Sequence, residues 1–228
     1  KVPATRLDML IDLVGELVIA SAASEAATTR ADALAAREAQ ATVTHLVSTI
    51  RDTALSLRMV PIGETFSRFH RLVRDVSKQL SKDIALEVKG AETELDKSIV
   101  ERLVDPLTHI VRNSLDHGLE TEAERTAAGK PPTGTLRISA MHEGGSVVID
   151  VSDDGRGLNR PRILAKAIEK GLVPTGAKLA TEDIDELIFL PGFSSAEQVS
   201  EISGRGVGMD VVKRTIEGLR GTVELSSE

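Results

Sequence analysis

The stretch DPLTHIVRNSLDHGLE, residues 105–120, restricts the fold more than any other part of the chain. Leu107, Ile110, Val111, Ser114 and Leu115 recur at three- and four-residue spacing and make one helical face. His109, Arg112, Asn113, Asp116 and His117 fall three and four apart on a neighbouring face. A helix that merely covers a core needs no polar cluster of that density. A solvated helix with assorted polar residues shows the same spacing, so alone the stretch leaves both readings open. Two Gly-rich segments follow it, Asp153-Asp154-Gly155-Arg156-Gly157 and Gly204-Arg205-Gly206-Val207-Gly208. A polar helix, an Asp-Gly turn and a second Gly-rich loop, in that order, suit a pocket assembled from distant segments.

Ahead of these lies a different pattern. From residue 6 to about 29, Leu7, Leu10, Ile11, Val14, Leu17, Val18 and Ser21 keep helical spacing. Residues 30–38 are Ala-rich and polar, and the spacing places a helix reversal there. Residues 39–58 resume the pattern through Val43, Leu46, Val47, Ile50, Ala54 and Leu57. Two antiparallel helices of this length reach about 30–36 Å at 1.5 Å per residue. Such a hairpin cannot enclose its own apolar stripes. It packs either on the rest of its chain or, more economically, on a second copy as a two-fold four-helix bundle, a homodimer through residues 6–58.

Pro61 and Gly63 break the second helix, and residues 57–63 read as a short hinge between domains 1–62 and 63–228. Helix resumes over 64–80 with Phe66, Phe69, Leu72, Val73, Val76 and Leu80 inward, and 84–88 alternates as a strand. Helix is expected over 95–119, with Gly118 ending its regular part. Residues 121–133 read as a loop or short helix. Strands are expected at 135–140 and 147–152, joined by a reversal at 142–145. Helices follow at 161–170, closed by Gly171, and at 181–190. Residues 191–203 lack periodicity and read as a mobile loop, 208–219 as helix, and 222–225 as the start of a strand. Strands and helices that do not alternate as β-α-β indicate an α+β layered domain.

Composition narrows the chemistry. A formal net charge of −7 over 228 residues argues against nucleic-acid or anionic-membrane binding. The four Phe residues are the only aromatics, too few for base-stacking platforms. The absence of cysteine excludes disulfides and thiolate metal sites and fits a reducing, cytoplasmic setting. No apolar run reaches the ~20 residues of a membrane span. Lys1 in place of Met suggests a piece of a longer protein.

Asp153 closes the second hairpin strand. A carboxylate fixed there can accept a hydrogen bond from an exocyclic amine such as that of adenine, and Gly155 and Gly157 let backbone approach a flat base. An ordinary Asp-Gly turn has the same sequence. Gly204, Gly206 and Gly208 run into a helix, where backbone N–H groups and the positive dipole end face an anion such as phosphate. A flexible hinge is an equal reading of that loop. Asn113 offers a neutral carbonyl oxygen suited to Mg²⁺. His109, one turn earlier, can accept a proton or orient a nucleophile. His45, His70 and His142 fall on other elements and read as surface or packing residues.

These segments carry a resemblance. RLDMLIDLVGELVIA, LRMVPI, TELD, HIVRNSLDHGLE, GKPPTGTL, HEGG, DDGRG, PGFS and SGRGVGMDVVK are similar, in order and over nearly the whole chain, to the dimerisation and kinase domains of the chemotaxis histidine kinases. The resemblance implies a helical hairpin that dimerises as a four-helix bundle. It then implies the two-layer α+β sandwich of the Bergerat or GHKL type, shared with gyrase, Hsp90-type chaperones and MutL. It places Mg²⁺ on Asn113 and, at His109, a residue where related ATPases carry a catalytic glutamate. It assigns ATP contacts to Arg112, Asn113, Asp116, His117, Asp153, Gly155, Gly157, Arg162, Gly204, Gly206 and Gly208. Arg162 stands where relatives often carry Lys. Phe189 and Phe193 match a phenylalanine box beside a lid of roughly 191–207.

The implied activity is that of a protein-histidine kinase, passing the γ-phosphoryl of Mg-ATP to a His on a separate phosphotransfer domain, in cis elsewhere in the parent chain or in trans. Response regulators would act downstream, and a receptor and coupling protein through domains outside this chain. The family continues past the last residue into further strands, and no His here sits in an H-E-x-x-P acceptor motif. Two alternatives remain, a GHKL-type ATPase clamp and a nucleotide-binding dimer scaffold without transfer.

Overall fold

The computed structural model describes residues 4–177, 179–193 and 208–227. The chain divides into two units, Lys1–Val60 with Glu94–Lys97, and Pro61–Thr93 with Ser98–Glu228. Among the described residues no helix is long and apolar enough to cross a membrane.

The first unit is a helical hairpin of α1 (Ala4–Thr29) and α2 (Ala33–Ser56). The reversal is tighter than the expected 30–38 segment, and α2 begins six residues before position 39. Ala31 turns left-handed at φ 55°, and the Asp32 carboxylate accepts from the Ala35 N–H at 3.1 Å, capping α2 at its first turn. The Ala-rich run after the cap has high helix propensity and simply joins the helix. Leu10, Leu13 and Leu17 are half-buried, and Ala27 and Leu46 buried. Leu7, Ile11, Val14 and Val18, four of the residues that keep the helical spacing, form a second seam that stays exposed, as expected of a hairpin that cannot enclose its own apolar stripes.

The segment expected as a hinge, 57–63, contains the division between the two units and forms a short strand. β1 (Met59–Pro61) pairs with β3 (Glu94–Asp96) in a two-stranded sheet, and Arg58 bonds Asp96 at 3.0 Å. Pro61 has no N–H to donate, which an edge pairing of three residues tolerates.

The second unit opens with α3 (Gly63–Leu80), which buries Phe66, Phe69, Val73 and Val76 as its spacing requires. A three-stranded sheet follows in the order β2 (Ile84–Lys89), β4 (Gly134–Glu143), β5 (Ser146–Asp153). β2 runs parallel to β4, and β4 antiparallel to β5. Leu136, Ile138 and Ala140 alternate into the core on one face, while Arg137 and Met141 face out. Helices on one side of a mixed sheet make the expected two-layer α+β arrangement. The reversal is a two-residue turn at Gly144 (φ 56°) and Gly145 (φ 82°), which suits the twist of the flanking strands, so both strands run longer than expected.

α4 (Lys97–Asn113) starts two residues later than the spacing suggested, because Leu95 is taken into β3. It continues as a π-helical turn, Ser114–Gly118. α5 (Glu122–Ala127) opens with a reciprocal capping box between Thr121 and Glu124. α6 (Arg160–Glu169) ends before Gly171 (φ 68°), and α7 (Thr181–Glu186) tightens into a 3₁₀ turn, Leu187–Phe189, rather than continuing as α-helix to 190. Ala167, Val173, Leu187 and Phe193 form a small core of their own here. α8 (Met209–Glu217) follows its N-cap Gly208. Residues 222–225 form no strand, since they join no ladder with any described strand. The segment is instead tied by Ser227, whose hydroxyl accepts from Leu158 N at 2.9 Å and whose carbonyl accepts from Arg160 at 2.7 Å.

Candidate functional site

The polar helix, the Asp-Gly turn and the start of α8 meet around the C-terminal end of α4. The π-turn there is closed by Leu119 N donating to Ser114 O at 2.8 Å. Such widened turns often mark functional positions, because they shift side-chain directions within a helix. Lys82 Nζ donates to the Leu115 carbonyl at 2.6 Å and to that of Asp116 at 3.2 Å, satisfying helix-end acceptors. Burial pushes the Lys82 pKa down, against the pull of Asp116.

Gly118, at the end of this turn, touches the Asp153 carboxylate. A Cβ on Gly118 would fall 2.9 Å from Asp153 Oδ2, and one on Gly155 would fall 2.2 Å from the Gly118 carbonyl oxygen. Arg156 N donates to that same carbonyl at 3.0 Å, and Gly155 N to Asp153 Oδ1 at 3.0 Å. Gly155 is therefore required first by the approach of Gly118, not by the approach of a base. Gly157 is required by its own φ of 65°. The result is a half-buried carboxylate held at a strand end in one orientation.

Behind the turn lies an ion-pair network that spacing did not single out. Arg125, on α5, is 1% exposed. It forks onto Asp154 through Nη1 and Nη2, both at 3.0 Å, and also bonds Glu120 at 3.2 Å and the Pro131 carbonyl at 2.7 Å. Lys130 Nζ donates to Glu120 at 2.9 Å, to the Asp154 carbonyl at 3.1 Å and to the Gly155 carbonyl at 2.7 Å. The Thr121-x-x-Glu124 capping signature was readable and fixes where α5 begins. Nothing local shows that an arginine one residue later is buried.

On the opposite side, Asn113 Nδ2 donates to the Met209 thioether at 3.2 Å. That contact ties α4 to the first residue of α8, beside the buried N-cap Gly208. Among the described residues no donor reaches Asn113 Oδ1, which leaves a neutral oxygen of the kind a hard cation accepts. His109 is half-buried one turn earlier. Burial lowers its pKa and the Arg112 charge lowers it further, while Asp210 on α8 opposes both. The imidazole is therefore neutral, and able to take a proton, at neutral pH. Met209 is a further residue that the sequence reading left out.

Other expected positions lie apart or outside. Asp116 and His117 are exposed on the π-turn. Arg162 is exposed on the first turn of α6, and among the described residues its guanidinium bonds no other candidate. Gly204 and Gly206, and most of the expected lid, lie outside the described residues. Phe189 and Phe193 are buried, with Lys213 Nζ 5.2 Å from the first ring and Lys166 Nζ 5.3 Å from the second.

Residues 101–228 match the model of the histidine kinase-, DNA gyrase B- and HSP90-like ATPases. Residues 1–82 match that of the homodimeric domain of signal transducing histidine kinases. The whole chain is 48% identical to 35% of the chemotaxis protein CheA of Klebsiella aerogenes. It is 47% identical to 34% of that of Salmonella typhimurium, and 44% identical to 34% of that of Bacillus subtilis, again over the whole chain. The chain thus spans about a third of the length of these curated relatives.

Proposed function

Because the chain belongs to the histidine kinase-, DNA gyrase B- and HSP90-like ATPases and carries a histidine-kinase homodimeric domain ahead of that fold, we propose that it is the dimeric core of a chemotaxis protein-histidine kinase. In this reading residues 1–62 dimerise and residues 63–228 bind Mg-ATP. The γ-phosphoryl passes to an imidazole nitrogen of a His on a separate phosphotransfer domain, and ADP leaves. In this reading that domain supplies response regulators in turn.

The observation that carries the reading is the Asp153 carboxylate seated against Gly118 and fixed by Gly155 N. It accepts the adenine amine. Asn113 holds Mg²⁺, which supplies charge neutralisation for the phosphates. Arg112 adds positive charge on the same helix, and Gly208 with the first turn of α8 offers N–H groups to phosphate oxygens. Asp116, His117, Arg162, Gly157, Gly204 and Gly206 complete the proposed ATP contacts. His109 orients or deprotonates the acceptor imidazole. The protein's contribution is mostly positioning and electrostatics.

Asp153→Asn tests the binding half. The amide can present NH₂ to the adenine donor in place of an acceptor, so the loss should be about 2–4 kcal/mol, roughly 30- to 1,000-fold in affinity for a fluorescent ATP analogue. An affinity within threefold of the parent chain means adenine is held elsewhere. Incubation with labelled ATP and acceptor domains tests transfer. Acid-labile phosphohistidine is expected; acceptor-independent phosphate release would indicate a clamp-type ATPase, and binding without either a scaffold.

A further inference from the structure

We propose that Arg125 and Lys130 are positioning residues for nucleotide recognition. With Glu120 and Asp154 they form a brace, buried at Arg125 and Glu120 and half-buried at Lys130 and Asp154, that fixes the turn bearing Asp153, and so set selectivity for adenine over guanine. The inference rests on the reading of Asp153 given above.

The β4–β5 ladder ends where Leu136 faces Asp153. Beyond that point the chain leaves the sheet, and the turn must be held by other bonds. Asp154 keeps a last contact with Thr135, accepting from its N–H at 2.9 Å and donating back at 3.2 Å. Arg156 N holds the far side of the turn to the Gly118 carbonyl at 3.0 Å, and the side-chain bonds to Asp154 and to the Gly155 carbonyl come from the brace. Arg125 engages both carboxylate oxygens of Asp154 and its carbonyl, while Lys130 holds that carbonyl and the next one, at Gly155. Glu120 joins the two cations from behind, at 3.2 Å and 2.9 Å.

Two cations and two carboxylates therefore close on one another. Burial pushes the Asp154 and Glu120 carboxyls up. The hydrogen bonds to Asp154 from Thr135 and Arg125, and to Glu120 from Lys130, outweigh it, so both lie below the usual carboxylate range and both carboxylates are ionised at neutral pH.

Buried ion pairs add little net stability over apolar packing, because desolvation offsets the attraction. Four charges gathered at one turn, two of them buried, are better explained by what they orient. Gly155 is the shared element. Its carbonyl is held by Lys130, its N–H fixes Asp153 Oδ1, and its Cα lies against the Gly118 carbonyl. Release of the brace frees Gly155 to move off Gly118, and the Asp153 carboxylate then rotates. A carboxylate fixed in place favours adenine, which offers an amine, and repels guanine, which offers O6 at the same position. A carboxylate free to rotate discriminates less.

The test uses the full chain and fluorescent analogues of ATP and GTP, with affinities corrected for the folded fraction measured by circular dichroism. Arg125→Met should lower ATP affinity ~10- to 100-fold, the usual result of a misplacement near 1 Å, and should cut the ATP-to-GTP preference by at least about tenfold. Arg125→Lys keeps the charge without the fork and should restore part of the preference. A merely structural role would lower the folded fraction and leave the preference of the folded molecules unchanged. That result in Arg125→Met overturns the proposal; if that variant does not fold, the same result in Lys130→Met overturns it. Failure of the parent chain to bind ATP would instead overturn the reading of Asp153 beneath it.

Discussion

The two units differ in what they leave uncovered. α1 and α2 together span 26 and 24 residues, yet Ala27 and Leu46 are the only apolar side chains that the hairpin buries fully among its described residues. Val18 and Ile19 are 64% and 71% exposed. The second unit encloses its own core, with Ile62, Val111, Leu115, Leu119, Leu136, Ile138 and Val212 all at 0%. Its unusual burials are charged: Arg125, Glu120 and Asp185. Two long helices can thus be locally strong and still leave their apolar stripes uncovered, while a sheet domain with a core of its own can also bury charge. The exposed seam at Leu7, Ile11, Val14 and Val18 supports a second copy as the hairpin's cover.

The largest expected effect breaks that cover. Val14→Glu with Val18→Glu removes four apolar side chains from the proposed dimer, each worth about 1.5–3 kcal/mol when buried, and places charge on the seam. Light scattering of the parent chain should give twice the 24.3 kDa chain mass, and of the double variant the chain mass itself. ATP-analogue affinity should not change, because the second unit carries its own core. A variant that remains a dimer would place the contact elsewhere.

Legibility followed the same division. The helical pattern of residues 6–58 was readable, because 3.6-residue periodicity is a local property. Which of its two apolar stripes meets the other helix was not, since Leu10 and Leu7 look alike in sequence. In the second unit the motif residues Asn113, Asp153, Gly155 and Gly208 stood out through residue type and order. Arg125, Lys130 and Met209 did not, because their roles come from contacts 25 to 96 positions away in the chain. The β3 strand was lost for the same reason. A three-residue strand has no periodicity of its own and exists only through its partner at Met59–Pro61.

A smaller effect, confined to the second unit, concerns His109. Gln keeps its size and hydrogen bonding but cannot accept a proton. His109→Gln should leave dimer mass and ATP affinity unchanged and lower transfer to an external acceptor domain ~10²–10⁴-fold. The rate in the parent chain should be full above the His109 pKa and fall as pH drops through it. Burial and Arg112 hold that value below the ordinary one for histidine, so the acid limb should lie on the acid side of it. Transfer at more than half the parent rate would leave catalysis to Asn113, Mg²⁺ and positioning.

The smallest expected effects compare a helix cap in each unit. Asp32 caps α2 through Ala35 N at 3.1 Å, and Thr121 caps α5 through Glu124 N at 3.4 Å, with the Glu124 carboxylate returning to Thr121 N at 2.9 Å. Replacement of either by Ala should cost about 0.5–2 kcal/mol of local stability, measured by amide hydrogen exchange in the first turn of each helix. The consequences should then diverge. Asp32→Ala loosens one end of a hairpin that carries none of the proposed ATP contacts, so analogue affinity should stay within error of the parent. Thr121→Ala frees the start of α5, and α5 carries Arg125. A fraction of the loosened population loses the fork to Asp154, and affinity should fall by about two- to fivefold, the binding-competent fraction setting the apparent constant. Equal affinities in the two variants would mean that the brace holds α5 without its cap, and that rigidity at the Asp153 turn comes from the buried charges alone.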